Sequence, residues 1–163
     1  MKETVCCFTG HRFLPRDELP GIERRLELVI QGLIEKGVIH YGCGGAIGFD
    51  LLAGEMVLKL KKRFPSIKLI MVLPCEDQDK KWQQSDKDRY RALLDSCDKA
   101  VYVTREYKDG CMLQRNRHLV DHSSVCVAYL VQQSGGSYYT VNYAHRRRVT
   151  VINIAEPMPA LRL

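Results

Sequence analysis

Two glycine-bearing turns carry the residue types best suited to hold a phosphate. They span residues 41–50 and 134–140, and each follows an apolar run typical of a strand and opens a segment typical of a helix. Such a turn aims backbone N–H groups at a ligand, and the helix dipole favours an anion. The pair predicts a phosphate-bearing ligand. The residues predicted to hold it are Gly44, Gly45, Gly48, Gly135, Gly136, Ser137 and Thr140.

Two arginines, Arg12 and Arg115, are predicted at the rim of the same site, where a guanidinium suits bidentate phosphate contacts. The alternative for each is an ion pair with Asp50, Glu55 or Asp121. Asp50 itself fits either a ligand contact or a helix cap. Glu55 either faces the ligand or pairs with a lysine.

Other side chains near predicted strand ends have two interpretations each. His11, which follows Gly10, fits a proton donor or a hydrogen-bonding turn residue. Trp82, the single tryptophan, either stacks on a base or anchors its loop on the sheet. Tyr107 and Tyr138 are similarly placed aromatic residues.

Metal and thiol chemistry have little support in the sequence. His118 and His122 are spaced to share a helix face, but no HExxH pattern or third ligand accompanies them. The seven cysteines contain no CxxC pair, and Cys6 or Cys7 with Cys126 are expected to pack as small apolar residues. Two more, Cys43 and Cys111, lie near predicted helix starts, where a thiolate is stabilised. We expect no metal site and no required cofactor.

Composition favours one soluble domain. The chain has 163 residues, of which 45% are hydrophobic and 27% charged. No apolar stretch approaches the roughly 20 residues of a membrane span, and the first residues do not resemble a signal peptide. We expect a cytoplasmic protein without a membrane partner, with a domain over residues 1–155 and a short tail over 156–163.

The formal net charge of +6 invites a nucleic-acid interpretation. The basic clusters, however, end predicted helices, where cations complement the helix dipole. Their members are Lys59, Lys61, Lys62, Arg63, Arg146, Arg147 and Arg148. These ends are predicted on the face opposite the glycine turns, so nucleic acid is the less favoured partner.

Apolar runs alternate with helical periodicity along the whole chain. The predicted strands are 4–9, 38–41, 67–73, 100–103, 125–130 and 149–154, and the predicted helices are 22–34, 49–60, 88–94, 112–120 and 140–145. This alternation predicts an α/β, Rossmann-like, doubly wound and mainly parallel sheet. Such sheets bind ligands at the carboxyl ends of their strands, where the glycine turns and residues 9–12 are expected to meet.

The first turn departs from the GxGxxG dinucleotide fingerprint, because Gly42, Gly44 and Gly48 form GxGxxxG without a later acidic residue for a ribose. A standard hydride-transferring dehydrogenase is therefore not expected. Instead, four segments resemble the YpsA-like family of the SLOG superfamily. They are residues 8–12 (FTGHR), residues 44–55 (GGAIGFDLLAGE), Pro74-Cys75 with Gln78 and Trp82, and Arg115-Asn116.

The superfamily also holds DNA-processing protein A and the LONELY GUY phosphoribohydrolases. The resemblance to the latter places their catalytic arginine at Arg115, followed by Asn116 instead of lysine. Asn142 or Tyr143 stands where their catalytic glutamate belongs, and neither is a carboxylate. In the comparison with DNA-processing protein A, Glu55 replaces a histidine of the first glycine motif.

The resemblance and the residues together favour binding of a nucleotide or nucleotide-derived ligand, such as an ADP-ribose- or NAD-like molecule, by a sensor or accessory protein. One alternative is an enzyme that cleaves an N-glycosidic bond, with Arg115 and with Glu55 or Asp50 in place of the missing glutamate. The second alternative is binding of single-stranded nucleic acid. Assembly into a homo-oligomer is a further expectation.

Overall fold

Six apolar runs form the strands of one parallel sheet. The computed structural model describes residues 2–155. The strands are β1 (Val5–Gly10), β2 (His40–Cys43), β3 (Lys68–Leu73), β4 (Lys99–Tyr102), β5 (Val125–Tyr129) and β6 (Thr150–Asn153). Their order is β4-β3-β2-β1-β5-β6, and every neighbouring pair runs parallel. The predicted Rossmann-like α/β sheet is confirmed.

Five helices connect these strands. They are α1 (Leu19–Glu35), α2 (Phe49–Lys61), α3 (Gln84–Ser96), α4 (Cys111–Asp121) and α5 (Gly135–Arg146). The chain builds outward from β1 to β4, then α4 carries it back across β1 to β5. Right-handed crossovers therefore place α1, α2 and α3 on one face and α4 and α5 on the other. The strand order reverses between β1 and β5, the place where such sheets form a ligand crevice.

The two faces of the sheet bury separate apolar clusters. Phe8, Tyr41 and Phe49 belong to the larger cluster, under the face with three helices. Cys7 and Cys126 belong to the smaller one, under α4 and α5. Successive side chains of a strand point to opposite faces, which is why adjacent Cys6 and Cys7 enter different clusters. The expectation that these cysteines pack as small apolar residues is confirmed.

Several sequence-based boundaries are wrong. The last helix begins at Gly135 and not at residue 140, so the second glycine turn is the first turn of α5 itself. Its glycines and Ser137 carry no apolar periodicity, which hid the start. Strand β2 covers His40–Cys43 and not 38–41, because Val5 pairs with His40 in the sheet. In addition, α3 begins earlier than predicted, at the polar residue Gln84.

None of the helices in residues 2–155 combines the length and apolarity needed to cross a bilayer.

Gly48 is a site where the fold tolerates no side chain. It precedes α2 with φ 87°, and an ideal Cβ there would lie 2.2 Å from the carbonyl oxygen of Arg12. We expect Gly48→Ala to lower the free energy of unfolding by at least about 2 kcal/mol, measured by urea denaturation. The matched control is Gly136→Ala, because a Cβ there meets nothing within 4 Å. The control is expected to change stability by no more than about 1 kcal/mol. Equal stability of the two variants would contradict the tight contact at Gly48.

Candidate functional site

A cleft of about 390 Å³ opens at the carboxyl ends of β1 and β5, where the strand order reverses. Three segments supply most of its wall: the loop after β1, the first turns of α4 and the first turn of α5. The lining residues are Thr9, Gly10, His11, Arg12, Ala46, Asp50, Met112, Leu113, Arg115, Asn116, Gln132, Ser134, Gly135, Gly136 and Ser137. The cleft therefore lies where the sequence placed the ligand.

His11 fixes the loop after β1. Its Nε2 accepts a hydrogen bond from the backbone N–H of Val131 at 2.8 Å, and its ring meets the Tyr129 ring edge-on at 5.9 Å between centroids. Burial lowers the pKa of His11 below its usual 6.5, so the ring is neutral at pH 7 and serves as an acceptor. Of its two interpretations, the structure supports the hydrogen-bonding turn residue. Gly10 before it packs so closely on Phe49 that a Cβ would lie 2.4 Å from the ring.

Arg12 is an exposed cation at the rim of the cleft. Within residues 2–155 its guanidinium forms no salt bridge, in contrast to the ion-pair alternative. Its charge still acts on Asp50, since it lowers the pKa of that carboxyl. Arg12 is thus available to an anionic ligand.

Arg115 is buried, with 4% of its surface exposed, and braces the wall of the cleft. Its Nη1 donates a hydrogen bond to the carbonyl oxygen of Gly44, and its Nε donates to Oδ1 of Asn116 at 2.7 Å. Gln78 donates to the same Gly44 carbonyl at 3.3 Å. Burial lowers the pKa of Arg115, but a guanidinium remains protonated in a protein. The cation therefore joins α4 to the turn after β2.

Asp50 is the buried carboxylate of the cleft. Its Oδ2 accepts a hydrogen bond from the backbone N–H of Ala46 at 3.3 Å. Burial raises the pKa of Asp50 to about 6, while Arg115, the Ala46 N–H and Arg12 oppose the shift. Asp50 sits in the first turn of α2, but Gly48 is the N-cap of that helix. The carboxyl group consequently titrates near neutral pH beside the cleft.

The first turn of α5 presents Gly135, Gly136 and Ser137 to the cleft. Ser134 is the N-cap residue and makes no side-chain hydrogen bond to this turn. The first N–H groups of a helix lack partners within the helix, and the dipole adds a partial positive charge. This helix end is therefore suited to an anion.

Several predicted site residues do not line the cleft. Thr140 is buried and donates to the carbonyl oxygen of Gly136 within α5. Glu55 forms a bidentate ion pair with Arg89 between α2 and α3. Gly45 faces the core, where a Cβ would lie 2.9 Å from both Met71 and Tyr90. Gly44 and Gly48 likewise do not line the cleft, and all three glycines allow close packing. Ala46 and Asp50 are the residues of this turn that reach the cleft.

Sequence reasoning missed part of the wall. Thr9, Ala46, Met112, Leu113 and Gln132 line the cleft as well. Ala46 lies inside the first glycine turn, and Thr9 precedes Gly10 at the end of β1. Both positions therefore indicated that these residues lie near the ligand. Met112 and Leu113 were predicted to begin a helix. Periodicity alone does not show which residues in the first turn of a helix face a ligand, so their place in the wall was not predicted.

The histidine pair and the cysteines are the side chains that the sequence offers for metal or thiol chemistry. Within residues 2–155 no group of three or more His, Cys, Asp or Glu side chains is arranged to hold a metal. His118 and His122 stack with their centroids 4.2 Å apart. Cys43 is buried inside β2, and burial raises the pKa of its thiol. The suggestion of a stabilised thiolate at Cys43 is therefore wrong.

These features define a Rossmann-like α/β protein with a polar cleft at its topological switch point. The chain belongs to the YpsA family, described as the YspA SLOG family, whose model matches residues 15–154. A UPF0398 protein of Halalkalibacterium halodurans is 32% identical over 130 residues, which cover 78% of this chain and 69% of that protein. The family predicted from the sequence motifs is confirmed.

Two solved structures share the fold. DNA processing protein A from Helicobacter pylori aligns with a TM-score of 0.64 and 18% identity, over 98% of this chain and 68% of that one. That structure was described for the single-stranded DNA binding mode of the Helicobacter pylori protein. DNA processing protein A from Streptococcus pneumoniae aligns with a TM-score of 0.67 and 18% identity, over 96% of this chain and 51% of that one. At this identity the likeness establishes the fold.

The raised pKa of Asp50 predicts a pH-dependent stability. Its carboxyl has a pKa of about 6 in the folded protein, against an ordinary value of 3.8, so between these pH values the folded protein binds the proton that the unfolded chain has released. The free energy of unfolding should therefore fall as pH rises from about 4 to about 6, by up to about 3 kcal/mol from this group.

Asp50→Asn retains an acceptor for the Ala46 N–H. It should remove the contribution of Asp50 to the slope of the unfolding free energy against pH. Urea denaturation of both proteins at several pH values measures the difference. The exposed residue Asp109 provides the control, since Asp109→Asn should keep the wild-type slope. Identical slopes for the wild type and Asp50→Asn would show that burial does not raise the pKa of Asp50.

Proposed function

We propose that this protein binds a nucleotide or nucleotide-derived ligand, such as an ADP-ribose- or NAD-like molecule, and acts as a sensor or accessory protein. The observation that carries the proposal is that the first turn of α5 and Arg12 line the same cleft. Backbone N–H groups, together with a guanidinium that forms no salt bridge among residues 2–155, suit a phosphate. A cleft of about 390 Å³ lies within the usual range for small-molecule sites.

The surroundings of the glycines in the two turns favour one of the turns as the place where the phosphate binds. An added Cβ at Gly44, Gly45 or Gly48 would meet protein atoms within 3 Å, which supports a role of these three glycines in packing the wall of the cleft. Gly135 and Gly136 differ, because a Cβ at either position would meet nothing within 4 Å. The proposal therefore places the anion at α5, with Asp50 and Asn116 as polar contacts for the rest of the ligand.

Nucleic acid is less well supported as the partner. The run Arg146–Arg148 lies at the C-terminal end of α5, and Gly135 begins the same twelve-residue helix. The two ends of such a helix are about 18 Å apart. Arg147 also pairs with Asp121 at 3.2 Å, and Arg146 lies over the Tyr143 ring. The net charge of +6 is thus concentrated in part away from the cleft.

A thermal-shift screen tests ligand binding most simply. Saturation with ADP-ribose, NAD or a mononucleotide at 100 times its Kd should stabilise the fold by about 2.7 kcal/mol, or about 8 °C for a domain of this size. Ser137→Asp should abolish this shift, because the new carboxylate occupies the first turn of α5 and repels a phosphate. The same variant should fold at least as stably as the wild type, since a carboxylate complements the helix dipole.

Ser137→Asn is the matched control, because asparagine has the shape of aspartate without its charge. This variant should retain the ligand-induced increase in melting temperature. An unchanged melting temperature with mono-, di- and cyclic nucleotides, NAD and ADP-ribose would refute the proposed function. A full shift in Ser137→Asp would place the phosphate elsewhere.

A second candidate function is cleavage of an N-glycosidic bond. Asp50 favours it, because a carboxyl with a pKa of about 6 lines the cleft and is tuned for proton transfer near neutral pH. Glu55, the other carboxylate considered for this role, pairs with Arg89 outside the cleft. Arg115 would support the wall beside Asp50.

The enzymatic candidate predicts free base from a nucleoside monophosphate or from NAD, detected by chromatography. Asp50→Asn should reduce the rate by at least about 100-fold while leaving ligand binding measurable. Glu55→Gln serves as the comparison and should keep the rate within a few-fold, since Glu55 does not line the cleft. Binding without turnover above background would leave the protein a sensor or carrier.

A further inference from the structure

A second compartment of about 530 Å³ adjoins the cleft. The two share Arg12 and Met112 in their walls and are therefore neighbours, and together they are called the groove here. The remaining residues of the second compartment are Ile47, Cys75, Asp77, Gln78, Lys80, Lys81, Trp82 and Tyr107. Each compartment alone has the volume of a small-molecule site, so the groove is large enough for a ligand with two linked units.

Two aromatic side chains line this second compartment. Trp82 is half-buried and meets the ring of Tyr90 edge-on at 5.2 Å between centroids. Tyr90 is fully buried, so the indole rests on the core. Tyr107 is 60% exposed on the neighbouring loop. Aromatic rings of this kind are platforms for stacking a nucleobase.

The loop that carries Trp82 is held in place without a ligand. Asp79 is buried and accepts two hydrogen bonds of 3.0 Å from Arg91. Gln78 donates to the Gly44 carbonyl at 3.3 Å. The backbone N–H of Glu76 donates to the carbonyl of Arg105 at 3.0 Å, which ties this loop to the one bearing Tyr107. A site held in advance loses less entropy when it binds.

The charge of this compartment favours an anion. Lys80 and Lys81 are exposed and, like Arg12, form no salt bridge within the part of the chain that the structure describes. Asp77 is the one carboxylate in its lining among residues 2–155. Asp79 nearby is already paired with Arg91. Among residues 2–155, three cations and one carboxylate therefore line this compartment.

We infer that the ligand is a dinucleotide-like molecule whose two units are joined by a diphosphate, with one base in the compartment of Trp82 and Tyr107. This inference rests on the proposed function, because it places one phosphate at the first turn of α5. Arg12, which lines both compartments, then contacts the linking phosphates. Lys80 and Lys81 complete the neutralisation of the diphosphate.

Trp82 reports directly on this compartment, because it is the only tryptophan of the chain. Titration with NAD, which carries two bases joined through a diphosphate, should quench its fluorescence, with a Kd equal to that from calorimetry. AMP should bind at least tenfold more weakly than NAD, since it lacks the second unit and its contacts.

Two variants test the lining without disturbing the indole. The double variant Lys80→Gln/Lys81→Gln should weaken NAD and ADP-ribose binding by at least about tenfold, because both ligands carry the diphosphate, and Tyr107→Ala should weaken by the same factor the binding of NAD, which carries a second base. Both variants should leave AMP affinity within about twofold. Leu28→Ala and Lys36→Gln/Lys62→Gln are the matched controls, because these residues are exposed on α1 or just beyond α1 and α2. The controls should change none of the affinities.

The outcomes separate the two proposals. If AMP binds as tightly as ADP-ribose and NAD, and Trp82 fluorescence stays constant, the inference about the second unit is wrong while nucleotide binding stands. If no nucleotide binds, both proposals fail. If a DNA dinucleotide with one phosphodiester quenches Trp82 and binds more tightly than ADP-ribose and NAD, the ligand is an oligonucleotide and the diphosphate assignment is overturned.

Discussion

The cleft depends on one buried cation. Arg115 reaches from α4 to the carbonyl oxygen of Gly44, and Gln78 donates to the same oxygen from the next loop. Removing a charge from water is costly unless partners compensate it, so these contacts and the nearby Asp50 have to form together. A Cβ at Gly44 would lie within 3 Å of both Arg115 and Asp50. The absence of a side chain at Gly44 is therefore what lets α4, α2 and the turn after β2 meet.

This constraint links the topology to the chemistry of the cleft. Helix α4 crosses from the outer strand β4 to β5, and that crossing brings Arg115 over the ends of the strands. The next connection begins α5 at Gly135, so the helix end suited to an anion faces the same crevice. Asp50 beside Arg115 keeps a carboxyl group that titrates near pH 6. The reversal of the strand order between β1 and β5 thus places a helix N-terminus, a cation and an acid at one cleft.

The sequence predicted the sheet well because each strand is an apolar run and parallel strands leave their loops at one edge. Gly10, His11, Arg12, Asp50, Arg115, Asn116 and the first turn of α5 were placed at this edge correctly. The role of the first glycine turn was not predictable, because glycines that contact a ligand and glycines that contact the core look alike in a sequence. Gly45 against Met71 and Tyr90 shows the second case. The pairing of Glu55 with Arg89 was hidden for a similar reason, since the partner comes from α3.

The first turn of α5 is where the account is most directly tested. In two-dimensional ¹H–¹⁵N NMR spectra, ADP-ribose, NAD or a mononucleotide that binds should shift the amide signals of Gly135, Gly136 and Ser137 saturably and more than those of Arg146–Arg148. All three amides lie at the anion-binding end of one helix, so they should follow a single Kd. Saturable binding that leaves these three signals unmoved, with the shifts confined to Arg146–Arg148, would contradict the proposed phosphate site.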